Sequence, residues 1–416
     1  MYQFRTLSNG IRVVAEKIDY LKSVSIGVWV GNGSRYEKKQ VNGISHFIEH
    51  MLFKGTENLS ADQIASAIDS IGGQIDAFTG REYTCFYTKT LDSHAEIALN
   101  VLAEMIFRPT LSGEDMELER RVIGEEIRMY EDSPEDLVYD LSSEAVWGDT
   151  PMGRTILGTY ESLDRITPDI MRDYMKSHYT GANLIISVSG NFGEGFFDLL
   201  EKYFGSENIA STPPALPDAT FRSGQTLVRT KDIEQVQLVA AFKGIDVMDE
   251  NVYSLLAMNN VFGFGMSSRL FQNIREKRGL VYSISAGHSA YLGTGVFDIA
   301  AGMRPESLGE VAELISNEIK TLKKDKLTRD EVEKSKEQLK GSYILASEST
   351  GARMQGAGRS LLLGKPIYTQ EEVLNRIDAV STDTVADMID TVLDTETLCL
   401  SAVGPVESLE NLFIFR

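Results

Sequence analysis

The stretch His46-Phe47-Ile48-Glu49-His50 sets two imidazoles four residues apart with a carboxylate between them. On an α-helix, positions i and i+4 lie on one face, so both rings reach a single point, and Glu49, three residues after His46, points to the same side. The spacing therefore has chemical meaning only in a helix. The flanking residues provide for one: Asn42 or Ser45 to cap its start, Phe47, Ile48, Met51, Leu52 and Phe53 for apolar packing, and Gly55 near its end. Two of the chain's five histidines fall in this pentapeptide, which favours a metal-binding pair over two ordinary core histidines.

The order H-x-x-E-H is the reverse of the commoner H-E-x-x-H and is the signature of the inverzincins. Hydrolytic zinc takes three protein ligands and leaves one position for water, whereas structural zinc is closed by four. Cys85 and Cys399 are the only cysteines and lie far apart in the sequence, so a thiolate site and a disulfide framework are both disfavoured. The third ligand is expected to be His, Asp or Glu. An acidic helix is expected from about Ser112 to Glu131, SGEDMELERRVIGEEIRMYE, ending before Ser133-Pro134. Glu119 and Glu126 stand about two turns apart on one face of it, and Glu125 points elsewhere. By composition alone that face reads as solvated acidic surface.

HFIEHMLFKGT at 46–56, followed by ERRVIGEE at 119–126, resembles the pitrilysin family, which includes the insulin-degrading enzyme and the mitochondrial processing peptidase. The resemblance implies one zinc ion per chain, held by His46, His50 and Glu126, with Glu49 as the base acting on water and Glu119 assisting from behind the ligands. GGQIDAFTGREYTCFY, from Gly72 to Tyr87, resembles the family segment whose edge strand accepts a peptide by main-chain hydrogen bonding, which implies substrate-binding roles for Asp76, Ala77, Phe78 and Thr79. The family usually has Asn where this chain has Asp76, so the added negative charge is expected to alter substrate or pH preference. Read from the residues alone, the segment is a strand after a capped helix from Ser60 to Ile71.

With 416 residues, 42% of them hydrophobic and 25% charged, the chain is long enough for two soluble globular domains. The proline cluster Pro213, Pro214 and Pro217 in ENIASTPPALPDATF marks a linker near the midpoint. The expected division is a zinc-binding domain at 1–210, a linker at 211–222 and a related domain without metal at 223–416. A weak repeat relates them: LSGEDMELERRVIGEEIRMYEDS at Leu111 parallels LTRDEVEKSKEQLKGSYILASES at Leu327, and ANLIISVSGNF at Ala182 parallels ETLCLSAVGPV at Glu396. In that register Ser335 stands for Glu119 and Ser342 for Glu126, so the second half lacks the metal ligands.

Strands such as IRVVAEKI, SVSIGVWV and CFYTKTL in the first half, and VQLVAAF, VYSISAGHSAYL and GVFDIAAGM in the second, precede long amphipathic helices. This grouping predicts an α+β fold, two homologous domains each with a mostly antiparallel sheet and helices packed on one face. In FGFGMSSRLFQNIREKRGLVYSISAG, Arg275 and Tyr282 match a family pair that stabilises the oxyanion, a task suited to a cation and a phenol. Gly263 and Gly265 resemble the family's glycine-containing loop and are too sparse for a phosphate-binding fingerprint. His94, His178 and His288 have no ligand spacing and read as structural.

The resemblance implies a zinc metalloendopeptidase acting on peptides or unfolded segments inside a clamshell. The chain has about half the length of fused family members, which implies a homodimer in which Arg275 and Tyr282 serve the partner's zinc. A non-catalytic assembly subunit, like the respiratory-complex core proteins of the family, is the alternative, and the intact residue set argues against it. The balance of 41 basic against 61 acidic residues, a net charge of −20, opposes nucleic-acid binding and favours basic peptides by steering. No apolar run reaches the roughly 20 residues that span a membrane. With two cysteines and no targeting pattern in MYQFRTLSNGIRVVAEKI, a cytoplasmic location is expected.

Overall fold

The run Ser23–Val30 explains why the first sheet is covered on both faces. Val24, Ile26, Val28 and Val30 point into one apolar cluster, while Trp29 belongs to another on the opposite side, as the two-residue period of a strand requires. The computed structural model describes residues 2–207, 209, 212–410 and 412. Residue 211 of the expected linker, and residues 1, 208, 210, 411 and 413–416 of the expected domains, lie outside the described residues.

The chain divides into two compact α+β units, one formed by Met1–Ile127, Thr155–Pro217 and Leu345–Thr369, the other by Arg128–Arg154, Asp218–Ile344 and Gln370–Arg416. In chain order the elements are β1 (Tyr2–Thr6), β2 (Arg12–Lys17), β3 (Ser23–Val30), α1 (Ile44–Leu52), α2 (Ala61–Asp69), β4 (Gln74–Thr79), β5 (Thr84–Leu91), α3 (Ala95–Phe107), α4 (Gly113–Asp132) and α5 (Pro134–Trp147). They continue with α6 (Tyr160–Asp164), α7 (Pro168–His178), β6 (Leu184–Gly190), α8 (Phe196–Leu200), β7 (Thr226–Thr230), β8 (Val236–Lys243), α9 (Val252–Phe262), β9 (Val281–Tyr291) and β10 (Thr294–Met303). The last are α10 (Leu308–Asp325), α11 (Arg329–Ala346), α12 (Thr350–Leu362), α13 (Gln370–Asp378), α14 (Thr382–Val392) and β11 (Cys399–Gly404).

The first sheet runs β1-β2-β6-β3-β5-β4 and the second β7-β11-β8-β10-β9. Without β1 the orders coincide, and each sheet has one parallel pair, β2 with β6 and β7 with β11, among antiparallel ones. The sequence repeat falls on this correspondence, with β6 answering to β11 and α4 to α11. Both sheets are mostly antiparallel, with a helical layer on one face, as the strand and helix patterns predict.

The opposite face of each sheet carries a helix that the sequence patterns did not place. In the second unit, Leu137, Val138, Leu141 and Val146 of α5 join Val239, Ala241, Cys399 and Val403 in one cluster. In the first, Met354 of α12 packs with Trp29, Cys85 and Ile185. Two glycines permit the close approach of α12: a Cβ on Gly27 would lie 2.4 Å from Met354 Sδ, and one on Gly358 would lie 2.2 Å from Trp29 Nε1. Trp29 Nε1 donates to Ser187 Oγ at 2.8 Å, and Ser25 Oγ meets Thr350 Oγ1 at 2.9 Å. Overpacking of such a contact typically costs about 1–3 kcal/mol. Gly358→Val should accordingly destabilise the first unit by that amount and move its guanidinium midpoint, followed by tryptophan fluorescence, to lower denaturant. An unchanged midpoint would contradict this account of the packing.

Candidate metal centre

Helix α1 buries Ile44, Phe47, Ile48, Met51 and Leu52 completely. Their spacing, at i, i+3, i+4, i+7 and i+8, makes one apolar stripe, and His46, Glu49 and His50 occupy the remaining face. The expected caps, Asn42 and Ser45, do not cap the helix through their side chains. The N-cap is Gly43 at φ 92°, with no side-chain cap of its own. Instead the buried carboxylate of Glu37 accepts from Gly43 N at 2.6 Å, Ser45 N at 2.8 Å and Asn42 Nδ2 at 2.9 Å. It satisfies first-turn amides that would otherwise be orphaned and places negative charge at the positive end of the helix. Burial pushes the Glu37 carboxyl up from its ordinary pKa, against the lowering effect of these hydrogen bonds.

His46, His50 and Glu126 converge, with one potential ligand atom from each lying within 4.8 Å of the others. Glu126 Oε2 is 3.6 Å from His46 Nε2 and 3.7 Å from His50 Nε2. These separations exceed a hydrogen bond, whereas ligands about 2.0–2.1 Å from a tetrahedral zinc stand about 3.3 Å apart. The spacing thus fits a shared cation better than direct pairing. Among the described residues Glu126 Oε2 is also buried without a hydrogen-bond partner, which is costly for an acceptor unless something else engages it.

Charge states agree with that fit. Burial, and then the neighbouring His50, lower the His46 pKa to about 3, so the ring is neutral and its lone pair is free at ordinary pH. His50 Nδ1 lies 2.9 Å from Glu119 Oε2, and Lys54 Nζ lies 2.6 Å from Glu119 Oε1. A carboxylate accepting from Nδ1 fixes the tautomer that turns Nε2 toward Glu126. Lys54 balances the charge of Glu119, a residue only 4% exposed.

Glu49 receives a hydrogen bond from the Thr79 hydroxyl at the end of β4. Its carboxyl is raised above the ordinary value by burial, with the Thr79 bond and His50 acting in the other direction. Strand β4 is the outer strand of its sheet and, among the described residues, pairs only with β5. Ala77 lies against the core beneath α1, and Thr79 shares that side. Asp76 and Phe78 point to the other side, where Asp76 Oδ2 accepts from Tyr87 OH at 3.3 Å and Phe78 packs with Trp29 and Tyr83.

Arg275 and Tyr282 belong to the second unit. Arg275 sits in a π-helical turn, Phe271–Glu276, with its guanidinium 4.7 Å from the Phe271 ring centroid. Tyr282 is 71% exposed near the start of β9, the outer strand of its sheet. Sequence reasoning missed Glu37 and Lys54, whose contacts depend on how loops fold back rather than on helical or strand spacing.

Residues 12–160 match the insulinase family, peptidase family M16, and residues 165–339 match the peptidase M16 inactive domain. An uncharacterized zinc protease of Bacillus subtilis, YmxG, is 44% identical over 401 residues, covering 96% of this chain and 97% of that one. An uncharacterized zinc protease of Streptomyces coelicolor is 36% identical, covering 97% and 89% of the two chains. The crystal structure of a protease from Helicobacter pylori has the same fold, with a TM-score of 0.90 at 22% identity over 97% of this chain and 99% of that one.

The contact between Glu119 and His50 is open to test. Glu119→Ala should weaken zinc binding by about 10–100-fold in chelator competition, the usual effect of removing a ligand's supporting partner. Unchanged affinity would show that Glu119 does not orient the ring.

Proposed function

The chain belongs to the insulinase family, peptidase family M16, and on that premise we propose that it is a zinc-dependent endopeptidase cleaving peptides or unfolded segments. The observation that carries this reading is the buried Glu126 oxygen that faces two imidazoles and has no hydrogen-bond partner among the described residues. His46, His50 and Glu126 hold one zinc per chain, and Glu119 orients His50. Bound there, zinc supplies Lewis-acid polarisation of the scissile carbonyl and acidifies water.

Glu49 is the general base: it takes a proton from the attacking water and passes it to the leaving amine. The peptide lies along β4, where Asp76, Ala77, Phe78 and Thr79 offer main-chain groups on a sheet edge. Two copies of the chain close as a clamshell homodimer, and the partner subunit's Arg275 and Tyr282 donate to the oxyanion. The charge of −20 draws basic peptides toward the chamber. Both cysteines are unpaired and buried, which suits a reducing cytoplasm, and among the described residues no helix is long and apolar enough to cross a membrane.

Glu49→Gln and Tyr282→Phe should each lose most peptidase activity, with zinc still bound in both. Mixing the two inactive proteins under conditions of subunit exchange should restore about a quarter of native activity, because half the dimers are mixed and each has one intact site. No recovery despite demonstrated exchange would contradict the trans arrangement. Bound zinc with full turnover in Glu49→Gln would remove Glu49 as the base, and zinc without turnover in the native chain would favour an assembly role.

A further inference from the structure

Among the described residues the Glu49 carboxylate has a single hydrogen-bond partner, the hydroxyl of Thr79. Glu49 stands on α1 and Thr79 is the last residue of β4, so the bond ties the helix bearing the metal pair to the outer strand. We propose that Thr79 is a positioning residue whose hydroxyl holds the Glu49 carboxylate in the orientation from which it receives the proton of water. The proposal rests on the reading of Glu49 as the general base.

The direction of the bond follows from the neighbours. Thr84 Oγ1 lies 3.4 Å from Thr79 Oγ1 and donates its own proton to the carbonyl of Asn32 at 3.0 Å. Thr84 Oγ1 is therefore a second acceptor within reach of the Thr79 proton, and the proton goes to the Glu49 carboxylate because that acceptor forms the stronger, charge-assisted bond. Left without that donor, a glutamate side chain has rotamer entropy still to lose on ordering. A carboxylate acting on a small, mobile water needs that freedom removed beforehand.

The geometry of the donor is itself held. Immediately after Thr79 the chain turns, with Gly80 N donating to Tyr83 O at 2.8 Å. The loop at 33–37 grips this turn, because Ser34 N donates to Gly80 O at 3.2 Å and Arg35 N donates to Arg81 O at 2.8 Å. Gly33 allows the approach, since a Cβ there would lie 2.2 Å from Gly80 O. Arg35 also pairs with Glu82 at 2.5 Å, both side chains being almost fully buried. Glu37, at the end of the same loop, caps α1. One short segment thus fixes the donor on one side and the helix bearing the acceptor on the other, so the Thr79–Glu49 contact is built into the frame of the unit.

The strand environment does not require this hydroxyl. A β-branched residue suits β4 with or without oxygen, and Val has nearly the shape of Thr. The test therefore compares Thr79→Val and Thr79→Ala, which remove the hydroxyl, with Thr79→Ser, which keeps it, alongside Glu49→Gln. Zinc content, melting temperature, kcat and KM on a peptide substrate are measured for each. The expected result is a fall in kcat of about 10–100-fold in the Val and Ala variants, with KM and zinc content unchanged, and recovery of most of that loss in the Ser variant.

Thr79→Val at native kcat, or a Ser variant as impaired as the Val variant, overturns the proposal. The first result together with an inactive Glu49→Gln strikes the positioning role alone. Native turnover by Glu49→Gln instead removes the base, and the positioning role falls with it.

Discussion

The carboxylate of Glu37, buried at the start of α1, is the contact on which the arrangement of the site depends. It accepts from two backbone amides and one side-chain amide, and hydrogen bonds to a charged group contribute about 1.5–3 kcal/mol each. Helix α1 has nine residues, too few to be stable alone, and its apolar stripe fixes which face is buried without fixing where its axis begins. Glu37 sets that origin. His46, Glu49 and His50 then take their places by helical period, and the same loop clamps the turn after Thr79.

The internal repeat shows how a metal site can be confined to one copy of a scaffold. Sheet order and the parallel pair recur in the second unit, but the residues answering to Glu119 and Glu126 are Ser335 and Ser342. Ser335 Oγ donates to the backbone carbonyl of Ala257 at 2.9 Å, a role that asks for a small neutral donor and excludes a carboxylate. The second face of each sheet is closed by a helix from the other half of the sequence, α12 for the first and α5 for the second. Neither half of the sequence by itself therefore buries both faces of its sheet.

What could be read from the sequence was whatever a local period encodes. The i, i+4 histidines, the two-turn spacing of Glu119 and Glu126, the helix end before Pro134, the Ser60 cap of α2 and six of the strands all follow from patterns within one element. The sidedness of β4 was equally available, since Asp76 and Thr79 are three residues apart and must face opposite ways. What stayed hidden depends on distant backbone. Glu37 carries no mark of a cap, and Gly27 and Gly358 reveal their purpose only once α12 lies against β3. An amphipathic helix announces that one face will be covered, but not by which sheet.

The central claim is that His46, His50 and Glu126 hold one zinc ion. Crystals of the zinc-loaded protein measured on either side of the zinc absorption edge test it most directly. The account predicts one anomalous peak per chain, about 2.0–2.2 Å from a nitrogen of each imidazole and an oxygen of Glu126. A peak bound elsewhere, or one held by the histidines with the Glu126 carboxylate turned away, would contradict it.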